Sequence, residues 1–360
     1  MKKVVTVIGA RPQFVKAAVL SKIIKKHNTI QEVIIHTGQH FDANMSAVFF
    51  EEMMIPKPAY NLEVNSLSHA AMTGQMMGKI EEILEIERPE ALIVYGDTNS
   101  TIAGALAAKK MNIKVVHIEA GLRSFNMNMP EEINRILTDR ISDLLCCPSQ
   151  GAINNLHNEG FQNLPVLIEN HGDIMKDAVS YYSKFSVNKS SIIKDQKLQK
   201  NEFVLATIHR QENTDKISNL TAIFKALEEI HHTQPVILPL HPRTRMALEK
   251  VDIQPKINLI DPIGYYDMLE LLKNCSMVIT DSGGLQKEAF FAKKQCIVVR
   301  DETEWGELVA HGYAKVVGSN TKKIIQTFDT FRAIKKEFTI DLYGDNVGEK
   351  IYQSIYQLIH

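Results

Sequence analysis

Short β-branched apolar runs alternate with amphipathic segments from the first residues to about position 320. In the first half the pattern predicts strands at Val4–Ile8, Val33–Thr37, Ala91–Tyr95, Val115–Ile118 and Leu144–Cys147. Between them apolar positions recur at helical spacing, as Val15, Val19 and Ile23 do at every fourth residue. Continuous apolar strands followed by helices predict βαβ units and a parallel sheet covered on both faces. The pattern pauses over residues 177–201, a polar stretch rich in lysine and serine without a clear strand. It restarts with predicted strands at Phe203–Thr207, Val236–Leu240, Asn258–Ile260, Met277–Thr280 and Ile297–Val299. The reading is an α/β protein of two doubly wound domains, residues 1–172 and 173–345, with a final helix over 346–360 that can pack back on the first. Open parallel sheets bind ligands outside the carboxyl ends of their strands, so two such domains are expected to face one another across a cleft.

Length and composition fit this picture. A chain of 360 residues is too long for one comfortable core and suits two α/β domains. Apolar residues make up 44% and charged residues 23%, an ordinary globular balance that argues against disorder. Lysine plus arginine (41) nearly cancels aspartate plus glutamate (42), so neither nucleic acid nor an anionic membrane is an expected partner. Any bound anion must then be held by a few placed groups. The cysteines Cys146, Cys147, Cys275 and Cys296 form no Cys-x-x-Cys pair and read as buried packing rather than metal or redox chemistry. The first apolar run is too short for a signal peptide, and no stretch reaches the roughly 18 apolar residues of a membrane span. A cytoplasmic protein is expected.

Polar residues cluster where the strands end. The first strand runs into Gly9-Ala10-Arg11-Pro12-Gln13, with Lys16 one turn into the next helix. Arg11 and Lys16 can both reach one phosphate or sugar oxygen, although a capped turn with surface cations is the competing reading. The turn is neither a Gly-x-Gly-x-x-Gly nor a Walker loop, so no cofactor is expected. Asp97 and Glu119 follow two strands expected to be neighbours, and Glu131 follows shortly after. Carboxylates gathered in a partly dry site push each other's pKa apart and supply an acid and a base at neutral pH. Taken singly, Asp97 reads equally well as a helix cap and Glu131 as a complement to a helix dipole. The second half offers His209-Arg210 and His241 after two strands, then Thr280-Asp281-Ser282-Gly283-Gly284-Leu285-Gln286-Lys287-Glu288. A strand that ends in Ser-Gly-Gly and opens a helix lets a diphosphate approach bare backbone N–H groups, and Glu288 is placed to meet a ribose. No metal is expected: His36 and His40 straddle Gly38, with only Asp42 nearby as a third ligand.

With these pieces in order, the sequence resembles the non-hydrolysing UDP-N-acetylglucosamine 2-epimerase family along nearly its whole length. The resemblance rests on Gly9–Pro12 with Lys16, Gly38–His40, Gly96–Thr98, His117–Arg123, Pro130–Arg135, His209-Arg210 and Thr280–Glu288. It implies the GT-B fold, two Rossmann-like domains closing on a UDP-sugar, and a homodimer. It also implies chemistry in which the C2 proton and UDP leave to give a 2-acetamidoglucal, after which UDP returns and C2 is reprotonated from the opposite face. By motif match Asp97, Glu119 and Glu131 are acid/base candidates and His209 contacts the diphosphate. Arg11, Lys16, Arg210, His241, Ser282, Gly283, Gly284 and Glu288 are substrate-binding candidates. Ala10 and Gln13 stand where many members carry threonine and glutamate, which, with Gln39–Met45, points to the branch acting on UDP-2,3-diacetamido-2,3-dideoxy-glucuronate. Loss of a negative charge at position 13 suits a substrate bearing its own carboxylate. The rival readings are a GT-B glycosyltransferase and a hydrolysing 2-epimerase.

Overall fold

The computed structural model of the chain describes residues 1–39 and 55–360, apart from the side chain of Arg11. The chain divides into two compact units, Met1–Ala178 with Asp341–His360, and Val179–Ile340. Among the described residues, no helix is long and apolar enough to cross a membrane.

The first unit carries strands β1 (Lys2–Ile8), β2 (Ile30–His36), β3 (Tyr60–Asn61), β4 (Ala91–Tyr95), β5 (Lys114–Ile118), β6 (Leu144–Cys147) and β7 (Leu167–Asn170). They form a parallel sheet in the order β3-β2-β1-β4-β5-β6-β7. The second unit carries β8 (Val204–Thr207), β9 (Val236–Pro239), β10 (Asn258–Ile260), β11 (Met277–Thr280), β12 (Cys296–Val298) and β13 (Ala314–Val316). These are parallel in the order β10-β9-β8-β11-β12-β13. Both are therefore doubly wound sheets, as the alternation of apolar runs and amphipathic segments predicts. Their strand order reverses between β1 and β4 and again between β8 and β11, the switch points where such sheets take ligands.

Helices cover both faces of each sheet, so the central strands are apolar throughout; all five residues of β4 are fully buried. The helix Asn99–Lys110 is small and nearly all buried because it lies directly on the sheet. A methyl group at Gly104 would stand 3.2 Å from Val7 and 3.3 Å from Val94. The residues 177–201 that show no strand pattern are mostly helical, in Ile174–Lys189 and Ile192–Asp195. Three strands lie beyond the predicted set. β3 is two residues long, β7 is half exposed and β13 is short, so none presents a continuous apolar run.

The C-terminal helix Val347–Ile359 packs on the helix Arg11–His27 of the first unit. Its apolar face buries Val347, Ile351, Tyr352, Ile355 and Ile359, and the Tyr352 ring stacks on His27 at 4.2 Å. The returning segment is fixed where Asp173 N–H donates to the Tyr343 carbonyl at 2.9 Å. Beside that bond lies Gly172, whose φ is +93° and whose added Cβ would stand 2.1 Å from the Tyr343 oxygen. Gly172→Ala therefore combines a left-handed backbone with a clash against backbone that cannot step aside. We expect it to cost about 3 kcal/mol, read as a lower urea midpoint; an unchanged midpoint would show that the closure tolerates a side chain.

Candidate active site

In the first unit Lys16, Asp97 and Glu119 meet at the carboxyl ends of β1, β4 and β5. Gln13 sets the frame. Its Oε1 accepts from the N–H groups of Gly9 (2.7 Å) and Ala10 (3.0 Å), and its Nε2 donates to the Tyr95 carbonyl at 2.8 Å and to Thr98 and Thr101 hydroxyls at 2.9 and 3.0 Å. One buried amide thus ties the turn after β1 to the turn after β4. The side chain is 2% exposed and fully engaged by the framework, a structural role that the reading from charge alone does not include.

Lys16 lies one turn along the same helix, is 5% exposed, and forms an ion pair with Glu119. Both border Gly96, where an added Cβ would lie 3.4 Å from Glu119 Oε2 and 3.8 Å from Lys16 Nζ. Glu119 itself has φ +73°, a left-handed conformation that costs a non-glycine residue of order 1–3 kcal/mol. The surroundings enforce it, because the N–H groups of Glu119 and Ala120 both donate to the Cys146 carbonyl at 3.1 Å.

Asp97 does not cap the following helix. Thr98 takes that place, and the Asp97 carboxylate instead pairs with Arg135. Asn134 reinforces the arrangement by donating to the Asp97 carbonyl at 2.9 Å. Because β4 and β5 run in register with Tyr95 opposite Ile118, Asp97 and Glu119 leave adjacent strand ends. Glu131 and Glu132 occupy the first turn of the helix Pro130–Ile141 and fit the dipole reading by position. Glu132 is spent on Arg135 and on the N–H groups of Ser124 and Phe125. Glu131 is half-buried and forms no hydrogen bond or ion pair among the described residues. The Arg11 side chain and the segment His40–Met45 lie outside the described residues. His36 is described: it is buried and its Nδ1 lies 3.1 Å from Asn61 Oδ1. All four cysteines are free and buried, and burial pushes the Cys275 thiol up to about 12.

Beneath these turns runs a buried polar chain that sequence reasoning missed. His117 bridges the Gly96 carbonyl and Asp139, each at 2.7 Å. Asp139 also accepts from Gly121 N–H at 3.1 Å and from Arg123 at 2.7 Å, and Arg123 makes two bonds to Glu159. Burial raises the Asp139 carboxyl, but His117 and Arg123 outweigh it and hold it below the usual aspartate value of 3.8.

The second unit repeats this design. Asp281, fully buried after β11, accepts from the N–H groups of His209 (3.0 Å) and Arg210 (3.0 Å) and from Asn213 Nδ2 (3.0 Å). It ties the turn after β8 to the start of the helix Gly283–Phe291. Ser282 caps that helix by accepting from Leu285 N–H at 3.5 Å, which leaves its hydroxyl hydrogen free to donate. An added Cβ on Gly283 would lie 3.7 Å from Arg210 Nη2, while nothing lies within 4 Å at Gly284. The Glu304 carboxylate, at 3.6 Å, borders the same position, so the Arg210 guanidinium and Glu304 together flank a helix N-terminus whose backbone N–H groups suit an anion. His209 and His241 rings lie 5.5 Å apart, and His241 is engaged as the cap of the helix Pro242–Lys250. Glu288 lies beside the buried Tyr265 hydroxyl, which burial first and this carboxylate second push up, so the phenol stays protonated.

The family model described as UDP-N-acetylglucosamine 2-epimerase matches residues 22–356. The UDP-2,3-diacetamido-2,3-dideoxy-D-glucuronate 2-epimerase of Pseudomonas aeruginosa is 50% identical over 343 residues, covering 95% of this chain and 96% of that protein. A crystal structure of Methanocaldococcus jannaschii UDP-GlcNAc 2-epimerase in complex with UDP-GlcNAc and UDP matches with a TM-score of 0.91. Its identity is 37%, over 99% of both chains. The Neisseria meningitidis UDP-GlcNAc 2-epimerase bound to UDP-GlcNAc matches with a TM-score of 0.88 at 31% identity, over 99% of this chain and 100% of that one.

The Asp139 hub yields a signed pH prediction. Because its folded pKa is depressed below 3.8, its contribution to stability is complete above that value and disappears only as pH falls through the folded value. Asp139→Asn is expected to cost about 3 kcal/mol at neutral pH. Urea midpoints measured at stepped pH should keep that gap constant down to about pH 4 and narrow it below. A gap that closes well above pH 4 would mean Asp139 is not the ionised centre of this network.

Proposed function

This chain belongs to the UDP-N-acetylglucosamine 2-epimerase family, and on that premise we propose that it inverts carbon 2 of a UDP-activated N-acetylated amino sugar without an added cofactor. The observation that carries the reading is the gathering of Lys16, Glu119 and the Asp97–Arg135 pair around the Gly96 turn. Carbon 2 of a sugar is not adjacent to a carbonyl, so its proton is scarcely acidic. Removal becomes feasible only as the C1–O bond breaks and positive charge develops on the ring. A carboxylate takes the C2 proton, the C–H electron pair becomes the C1–C2 double bond, and UDP leaves with the C1–O pair. The intermediate is a 2-acetamidoglucal. UDP oxygen then adds back to C1, and a carboxyl group delivers a proton to C2 from the opposite face. Atoms and charge balance without water or a second substrate.

Such chemistry needs carboxylates that take up and return protons and others that face the developing positive charge. Glu131 has no ion-pair partner among the described residues, and we assign it one of the two proton transfers. Of Asp97 and Glu119, each beside a cation, one carries the other transfer and the second faces the developing charge on the ring. The second unit holds the departing diphosphate through Ser282, Gly283, Gly284 and Arg210, with His209 and His241 assisting and Glu288 on the ribose. Arg11 and Lys16 bind near the sugar and phosphates.

For the substrate, the 50% identity to the Pseudomonas aeruginosa enzyme, against 37% to the Methanocaldococcus jannaschii enzyme, favours the 2,3-diacetamido-glucuronate. Ala10 and Gln13 point the same way. We further propose a cytoplasmic homodimer that supplies precursors for surface polysaccharide.

Incubation with each UDP-sugar in heavy water, without acceptor, tests the reading by NMR. Deuterium should enter C2 while UDP stays attached. An untouched C2 speaks for a glycosyltransferase, and accumulation of free UDP with free sugar for a hydrolysing enzyme. Ready turnover of UDP-N-acetylglucosamine with none of the uronate would remove the substrate assignment. Asp97→Asn and Glu131→Gln should each slow C2 exchange by at least about a hundredfold while UDP still binds. Full exchange in either variant would overturn its assigned role.

A further inference from the structure

The chain contains a single tryptophan, Trp305, and it is 3% exposed. Its indole N–H donates to the Gly283 carbonyl at 3.0 Å. That carbonyl shares a rigid peptide plane with the Gly284 N–H, which points the opposite way. Both N–H groups, on Gly283 and Gly284, belong to the first turn of the helix Gly283–Phe291 and have no intrahelical acceptor. Holding the carbonyl therefore aims a free donor.

The face of the same indole carries a second feature. The Lys287 ammonium lies 3.9 Å from the ring centroid, and Lys287 is 1% exposed. Lysine is rarely buried so completely, and a cation near a helix N-terminus works against the dipole. A cation–π contact offsets part of that cost and holds the indole face in place.

Trp305 is itself held on several sides. Its backbone N–H donates to the Thr303 hydroxyl at 3.2 Å, and that hydroxyl donates to Gln286 Oε1 at 2.7 Å. Glu304, the residue before it, receives two bonds from the fully buried Arg300, at 3.0 and 3.2 Å. Arg300 also reaches Glu212 at 3.2 Å, two residues beyond Arg210. The strap from Arg300 to Trp305 thus borders the Gly283 position with Glu304 and Trp305, at 3.6 and 3.9 Å from an added Cβ, and Arg210 lies at 3.7 Å. The Gly284 side stays open.

We propose that Trp305 is a positioning residue for diphosphate binding: its indole N–H fixes the Gly283–Gly284 peptide, and the Lys287 ammonium on its face holds the ring in place. The inference rests on the reading of this turn as the UDP cradle. The indole is then a built-in reporter, since every change in tryptophan emission comes from this one place.

The test uses the full-length protein, with UDP as the probe. Equilibrium dialysis establishes whether the parent binds UDP, and tryptophan emission is followed in the same titration. We expect saturable binding with a matching change in emission. Trp305→Phe keeps a ring for Lys287 but removes the donor. It should weaken UDP binding about tenfold, with a thermal midpoint in the absence of UDP equal to that of the parent. A variant that folds and binds UDP as tightly as the parent overturns the inference and leaves the proposed function standing. Should the variant fail to fold, the parent's emission decides: no change on UDP saturation overturns the inference. A parent that binds no UDP removes the proposed function, and this inference with it.

Discussion

Each unit of this protein is organised around a buried carboxylate that must find donors at the ends of parallel strands. An ionised carboxylate taken out of water costs several kcal/mol unless its lone pairs are filled. Asp139 fills its own with Gly121 N–H, His117 and Arg123, and Asp281 with the N–H groups of His209 and Arg210 and with Asn213. The donors are turns. Satisfying the charge therefore fixes the backbone that carries the candidate residues, and the turns cannot relax without exposing an unpaired anion. His117 extends this control from Asp139 to the Gly96 carbonyl, immediately before Asp97.

The same constraint accounts for the one unusual backbone among the candidate residues. Glu119 holds a left-handed conformation because its own N–H and that of Ala120 converge on the Cys146 carbonyl at the end of the neighbouring strand. Gly121 follows at φ +78°, and an added Cβ there would lie 2.6 Å from the Ala152 carbonyl, so the chain has no room to unwind in that direction. Strain of this kind persists only where the surroundings over-determine it. Here it turns the Glu119 side chain toward Lys16 and the Gly96 turn. The second unit achieves its effect with small residues instead: Gly283 and Gly284 leave backbone donors bare, and the side chains of Arg210 and Trp305 border them.

Much of this was legible in the sequence, for a physical reason. Central strands of a parallel sheet are buried on both faces and must be apolar throughout, so Ala91–Tyr95 and Leu144–Cys147 stand out with their bounds intact. Edge strands escape the rule: Leu167–Asn170 is half exposed and Tyr60–Asn61 too short to leave a pattern. Polar residues just beyond apolar runs mark the strand ends, which is how Asp97, Glu119, His209 and Ser282 were found. Their partners were harder to see. Arg135 stands 38 residues from Asp97 and Trp305 22 residues from Gly283, and neither separation follows any local period. The i, i+3 spacing of Glu132 and Arg135 was the one available hint. Gln13 shows the same limit: its residue type speaks to charge, but the framework bonds it makes, to Gly9 and to Tyr95, span 4 and 82 residues and are not legible from the residue itself.

The pairing pattern also bears on the choice among reactions. Sugar transfer to an acceptor requires a diphosphate cradle and one base. It gives no reason for two further carboxylates, each beside its own cation, at adjacent strand ends. Elimination across C1 and C2 does give one. As the C1–O bond breaks, the ring becomes cationic, and an anion placed before the reaction stabilises that charge with little reorganisation. The anion must not be neutralised by a proton beforehand, and a neighbouring Lys16 or Arg135 favours the ionised form of Glu119 or Asp97. Glu131 differs from both in having no ion-pair partner among the described residues. Three carboxylates that look alike in a sequence are thus separated by their neighbours into two kinds, those beside a cation and one that is not, and the proposed elimination and re-addition has a use for both.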